Sequence, residues 1–244
     1  MGQWTREFGR DAEEGEHAMR LKSIAVWVSV LVLFAVVVLC VLASLIAPED
    51  PNVIHVRERL AAPGDGSLLG RDHLGRDVWS RIVYGARVSL LVGASAAVFS
   101  ALGGIVVGLV GGYSRGFLGG LLMRIVDTIM AFPATLLALA MMAVLGARVS
   151  NIVIALSVTY IPRIARIQHA ATLQVREMQY VEAANAIGVS TPRLLLRHIL
   201  PNTLGPILVQ TSFVFAGASD RRGWLELPWS RDAHWHSKLG QYAL

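Results

Sequence analysis

Few places in the sequence gather side chains able to do chemistry. Asp72, His73 and Asp77 could together hold a divalent cation, but no further His or Cys stands at ligand spacing. A turn with Asp77 as the N-cap of the helix that follows is the simpler use of these residues. Arg124 and Asp127, spaced i and i+3 at the start of an apolar run, suit either a proton relay or snorkelling to a membrane interface. His234 and His236 are two imidazoles with no companion ligands. Ser, His and Asp are otherwise scattered, with no nucleophile elbow. No G-x-x-x-x-G-K-[ST] occurs, and the only lysines, Lys22 and Lys238, are not in glycine-rich settings. The sequence therefore predicts neither an enzyme nor a chain that binds ATP through its own P-loop, and no metal site is expected. The single cysteine, Cys40, excludes an internal disulfide.

The elements that must position any site are apolar. Of 244 residues 54% are hydrophobic and only 16% charged, whereas about a quarter of residues are charged in soluble domains; mean hydropathy is +0.54. A formal charge of +5 could suggest nucleic acid, but the basic residues sit at the ends of apolar runs, as membrane orientation requires. The runs predict an all-α polytopic membrane protein of about five transmembrane helices: 23–47 (stopped by Pro48, and too long for a cleaved signal peptide), 88–112, about 121–145 with Pro133 inside, about 149–168 and about 198–218. Ala96, Ser100, Gly104, Gly108 and Gly112 recur every four residues. Such a stripe lets a neighbouring helix approach closely, with lining of a pathway as the alternative use. Placing segment 1–22 in the cytoplasm puts eleven Lys and Arg inside and seven outside up to the last run. That bias leaves 48–87 as an extracytoplasmic loop with an interfacial helix and 169–197 inside the cell.

Between the last two apolar runs lies a charged stretch, residues 174–202. Its first half carries good helix formers, and Gly188 stands where a helix end needs a residue free to take positive φ. Thr191 and Pro192 then suit a cap and a first helical position. The pattern predicts a short helix, a break and a membrane helix.

That arrangement, with Glu182-Ala183-Ala184, Gly188 and Leu200-Pro201 at these spacings, resembles the EAA loop of permease subunits from binding-protein-dependent ABC importers. The wording YVEAANAIG and RHILPN resembles the dipeptide, oligopeptide and nickel branch; His198 stands where the family has an aliphatic residue. A second match is the stretch before the 88–112 run, where Gly70, Asp72, Gly75, Arg76 and Asp77 fit a G-T-D-x-x-G-R-D pattern with Arg71 in place of Thr. The resemblance covers roughly residues 21–218 and implies a six-span permease in a bacterial inner membrane, with core 88–218. Its implied partners are a second permease, two ATP-binding subunits carrying ATP and Mg, an extracytoplasmic solute-binding protein and lipid, but no nucleic acid. Glu177, Tyr180, Glu182, Ala183, Ala184, Gly188, Leu200 and Pro201 would form the contact that transmits ATPase closure to the spans, while this chain binds no cofactor. Peptides, nickel and glutathione are all cargoes the resemblance allows. After Ala218 the pattern stops, and 219–244 reads as a frame-shifted or truncated tail. Competing readings are a non-functional fragment, a secondary transporter and a membrane scaffold.

Overall fold

The computed structural model describes residues 27–47, 49–64, 66–146 and 148–241, with side chains through Arg221. The expected cytoplasmic segment 1–22, the start of the first span and the His234 and His236 side chains lie outside the described residues. The chain divides into two compact units, Met1–Val88 and Ser89–Leu244.

In the first unit, helix α1 (Trp27–Val41) leads into a single turn, α2 (Ala43–Ile46), and later a 3-10 turn at Val56–Glu58. Ala43, Ala47 and Val83 form a small core on which Trp79 and Tyr84 pack, and Trp79 Nε1 donates to the Ile46 carbonyl at 3.3 Å. The polar segment between is tied by charge. Arg71, whose side chain is only 5% exposed, grips both oxygens of Glu49 at 2.7 and 2.8 Å and reaches Glu58 at 2.7 Å. The residue that departs from the family pattern is thus the hub of this loop.

The next helix, α3 (Val78–Tyr113), runs unbroken for 36 residues. A separate interfacial helix over 78–87 is therefore not present: no Gly-Pro break separates Arg87 from Ser89, so the amphipathic start simply continues into the apolar run.

In the second unit the expected helix over 121–145 is two: α4 (Phe117–Met130) and α5 (Ala134–Leu145), bent by 88°. Pro133 disfavours helical geometry in the residue before it and has no N–H to give, so the chain turns there. Helix α6 (Val149–Arg176) is longer than the apolar run predicts and includes Pro162. It is followed by α7 (Gln179–Ala186), the turn α8 (Thr191–Leu194), a five-residue π turn (Leu195–Ile199) and α9 (Leu200–Gln241), which continues well past Ala218. In the π turn Leu200 N–H reaches back five residues to the Leu195 carbonyl. Pro201 cannot donate and its ring crowds the turn before it, which the wider π geometry relieves.

The fold is all-α. Among the described residues there is no strand, only an isolated bridge between Arg71 and Asp77. Val78–Tyr113 and Thr191–Arg221 are long and apolar enough to cross a membrane, and α4 with α5 makes a third if the bent pair is one span. The described part of α1 is shorter, and Arg163 and Arg166 interrupt the apolar course of α6. Five spans are what the hydropathy pattern predicts, and the described helices meet the length and composition test for two or three.

The glycine stripe places α3 against α6. A Cβ on Gly104 would lie 2.6 Å from Ile164 Cβ, one on Gly108 2.5 Å from Gln168 Cβ, and one on Gly112 2.7 Å from Thr172 Cβ. Ala96 and Ser100, earlier in the stripe, are fully buried. On another side of α6, Ala165 packs with Met123 and Val126 of α4.

Candidate functional site

The charged stretch is not one helix from 174 onward. Residues 174–176 finish α6, Glu177 is its C-cap, and Met178 is extended before α7 begins at Gln179. Val175 and Val181 explain the break. Both are buried in one cluster with Leu109, Ala184, Leu194 and Ile199, yet in an unbroken helix residues six apart point about 120° apart and sit about 9 Å apart along the axis. The chain must turn to bury both.

The other end of α7 closes on Gly188. Gly188 takes φ +79°, its N–H donates to the Asn185 carbonyl at 3.0 Å, and Val189 N–H donates to the Ala184 carbonyl at 3.1 Å. These two bonds and the packing of Val189 on the Ala184 cluster make a Schellman end. Ser190, not Thr191, is the extended residue before α8, so Thr191 is the first helical residue and Pro192 the second.

The structure splits the residues named from sequence into two groups. Ala184 is 7% exposed and packs into the chain's own core, as does Leu200. Glu177, Tyr180, Glu182, Ala183 and Gly188 are exposed, and Pro201 is exposed beside the π turn. Ile187, 82% exposed, and Met178, 47% exposed, add apolar surface to α7 and its ends. Tyr180 Oη donates to the His198 carbonyl at 3.4 Å, linking α7 to the π turn. Beside α7 a cavity of about 870 Å³ is walled by Tyr113, Arg115 and Leu118 on one side and by Glu177, Glu182 and Asn185 on the other.

Several positioning contacts carry no local sequence signature. Arg176 Nη1 donates to the Gly112 carbonyl at 2.8 Å, fixing the end of α6 to the end of α3. Gln168 is fully buried and donates to Thr172 at 3.0 Å and to Thr203 of α9 at 2.9 Å. Asp127 is held by Arg166 of α6, not by Arg124. The only hint of the Gln168 cluster in the sequence is the i, i+4 spacing of Gln168 and Thr172, matched by Gly108 and Gly112.

In the first unit the Gly70 to Asp77 motif forms a tight turn and a cap. Gly70 and Gly75 take φ of +77° and +80°, and Gly75 N–H donates to the Asp72 carbonyl at 2.9 Å. Asp77 Oδ2 accepts the Ser80 N–H at 2.8 Å and caps α3. Asp72 accepts from the Leu74 and Arg76 N–H groups and pairs with Arg76 at 2.8 Å and Arg81 at 2.7 Å. Burial alone would raise its pKa, but those hydrogen bonds outweigh it and hold the carboxyl well below the usual range. The hydrogen bond from Arg71 likewise lowers Glu49. With both arginines on Asp72, its oxygens serve the turn.

Residues 104–220 match the family model described as binding-protein-dependent transport system inner membrane component. A Brucella suis protein described as a peptide transport system permease is 46% identical over 200 residues, covering 82% of this chain and 67% of that protein. The di/tripeptide transport system permease protein DppC of Pseudomonas aeruginosa is 39% identical over 196 residues, 77% of this chain and 64% of its own length. The glutathione transport system permease protein GsiD of Pectobacterium atrosepticum is 36% identical over 168 residues, 68% of this chain and 56% of its own. The chain thus spans about two thirds or less of the length of these relatives. With the α7 segment, the glycine-packed helices and these matches agreeing, the chain belongs to the inner-membrane permease components of binding-protein-dependent transport systems.

Proposed function

We propose that this chain is the permease subunit of an ABC importer, forming with a second, similar permease the path for peptides or a related small solute. An extracytoplasmic binding protein delivers the solute, and two separate subunits bind and hydrolyse ATP with Mg; this chain supplies no catalytic group of its own. The observation that carries the reading is α7, which offers Glu182, Ala183 and Tyr180 outward while Val181 and Ala184 anchor it in the core shared by α3, α6 and α9. A push on that face is delivered to the ends of three long helices at once. Peptide is the preferred cargo because the names of the relatives assign them peptide, dipeptide or glutathione transport.

The orientation that fits has the N-terminus and α7 in the cytoplasm and the Gly70 to Asp77 turn outside, the arrangement favoured by the Lys and Arg distribution. The test is a reconstituted complex of this chain with its partner permease, ATPases and binding protein. Glu182→Lys should abolish substrate-stimulated ATPase activity and uptake while the complex still assembles. Full stimulation in that variant would refute the assignment of α7.

A further inference from the structure

A cavity of about 460 Å³ opens where α3 ends, α4 begins and α6 approaches its C-terminus. Arg115, Arg166, His169 and Arg176 line it together with Ser114, and no carboxylate does. Asp127 pairs with Arg166, and Glu177 lies 3.6 Å from Arg176, but both stand outside the lining. Arg115 has no ion-pair partner among the described residues. Arg176 is held in place by the Gly112 carbonyl, yet its Nε is buried without an acceptor. A buried donor left open in a basic cavity calls for an anion.

Apolar surface adjoins the charge. Phe117 is 84% exposed, Leu118 52% and Leu121 41%, all in the first turns of α4. A cavity that pairs guanidinium groups with an apolar helix flank at the end of membrane helices matches the two halves of an anionic lipid.

We propose that this cavity binds a phosphate monoanion or diester, and that its source is the headgroup of an anionic phospholipid whose acyl chains lie along Phe117 and Leu121. The inference needs only that the chain resides in a membrane and is independent of transport, so its failure would leave the α7 test untouched.

The full chain is placed in phosphatidylcholine nanodiscs with a minority of phosphatidylglycerol, and native mass spectrometry after detergent release counts the retained lipid. Phosphatidylglycerol should be retained in preference to phosphatidylcholine. Arg115→Ala should lower that retention roughly five-fold, the worth of one arginine near an anionic lipid. His169→Gln should lower it less, Arg115→Lys should keep most of it, and Arg193→Ala, outside the cavity, should change nothing. Circular dichroism checks that each variant keeps its helix content, and His169→Gln serves as the test if Arg115→Ala does not fold. If the thermal midpoint in pure phosphatidylcholine rises with inorganic phosphate in an Arg115-dependent way and phosphatidylglycerol shows no preference, the phosphate is a soluble one. Equal retention of both lipids without a phosphate effect, or equal losses in Arg115→Ala and Arg193→Ala, would overturn the site. So would loss of the lipid when the partner subunits assemble, because the cavity would then belong to a protein contact.

Discussion

Gly108 and Gln168 stand so close that the smallest side chain on the glycine would meet the Gln168 Cβ at 2.5 Å. Gly108→Leu should therefore force α3 and α6 apart at a cost of about 1–3 kcal/mol, the usual range for overpacking. Gly205→Ala, where nothing lies within 4 Å, should be neutral or stabilise by up to about 1 kcal/mol. Thermal unfolding of the two variants in the same detergent separates the effects, and equal midpoints would show that the stripe does not carry the packing.

Stability and coupling should come apart at α7. Gly188→Ala places a side chain at φ +79°, which costs about 1–2 kcal/mol in the left-handed region. Glu182→Lys changes an exposed residue with no ion pair among the described residues, so its stability should stay within about 0.5 kcal/mol of the parent. Midpoints measured beside ATPase stimulation should show one variant losing stability and the other losing only activity.

Orientation is open to thiol labelling. Leu68, 67% exposed in the polar loop, replaced by Cys should react with a membrane-impermeant reagent in intact cells, while Gln179→Cys in α7 should react only after permeabilisation. The native Cys40 is buried and gives little background. The reverse pattern would invert the topology.

The Arg71 loop should soften in acid. Glu49 and Asp72 both titrate lower in the folded chain than the values near 4 of the unfolded one. The stability they contribute is complete above about pH 5 and lost as the pH falls through their folded values. Protection of the amides over residues 58–77 from hydrogen exchange, taken relative to the intrinsic rate at each pH, should fall in that direction. Arg71→Met, which removes the guanidinium holding Glu49, should abolish that residue's share of the pH dependence. Protection that stays constant as the pH falls below about 5 would contradict this.

What the sequence shows plainly here is what is local. The end of α7 at Gly188, the cap at Asp77 and the four-residue stripe each need only neighbours along the chain to be recognised. Asp127 shows the limit: Arg124 is close in sequence, but Arg166 arrives from another helix and takes the carboxylate. Pro133 announces a disturbance without its size, because the 88° bend depends on what α4 and α5 each pack against. The break at Glu177 has no local signal, since Gln174, Arg176, Glu177, Met178 and Gln179 are all good helix formers, and only the joint burial of Val175 and Val181 makes the turn necessary. Arg71 departs from the family pattern, and its partners Glu49 and Glu58 lie too far along the chain to be paired by inspection.

The glycine stripe has a further consequence for how α3 finds its place. Because the small residues recur every four positions and face Ile164, Gln168 and Thr172 at the same interval, sliding α6 by four residues, about 6 Å, would present nearly the same surface. Closeness on such an interface comes without an address. The address is written by the bonds that do not repeat, Gln168 to Thr203 and Arg176 to the Gly112 carbonyl. Removing both should leave helices that still associate but no longer agree on which rung they share.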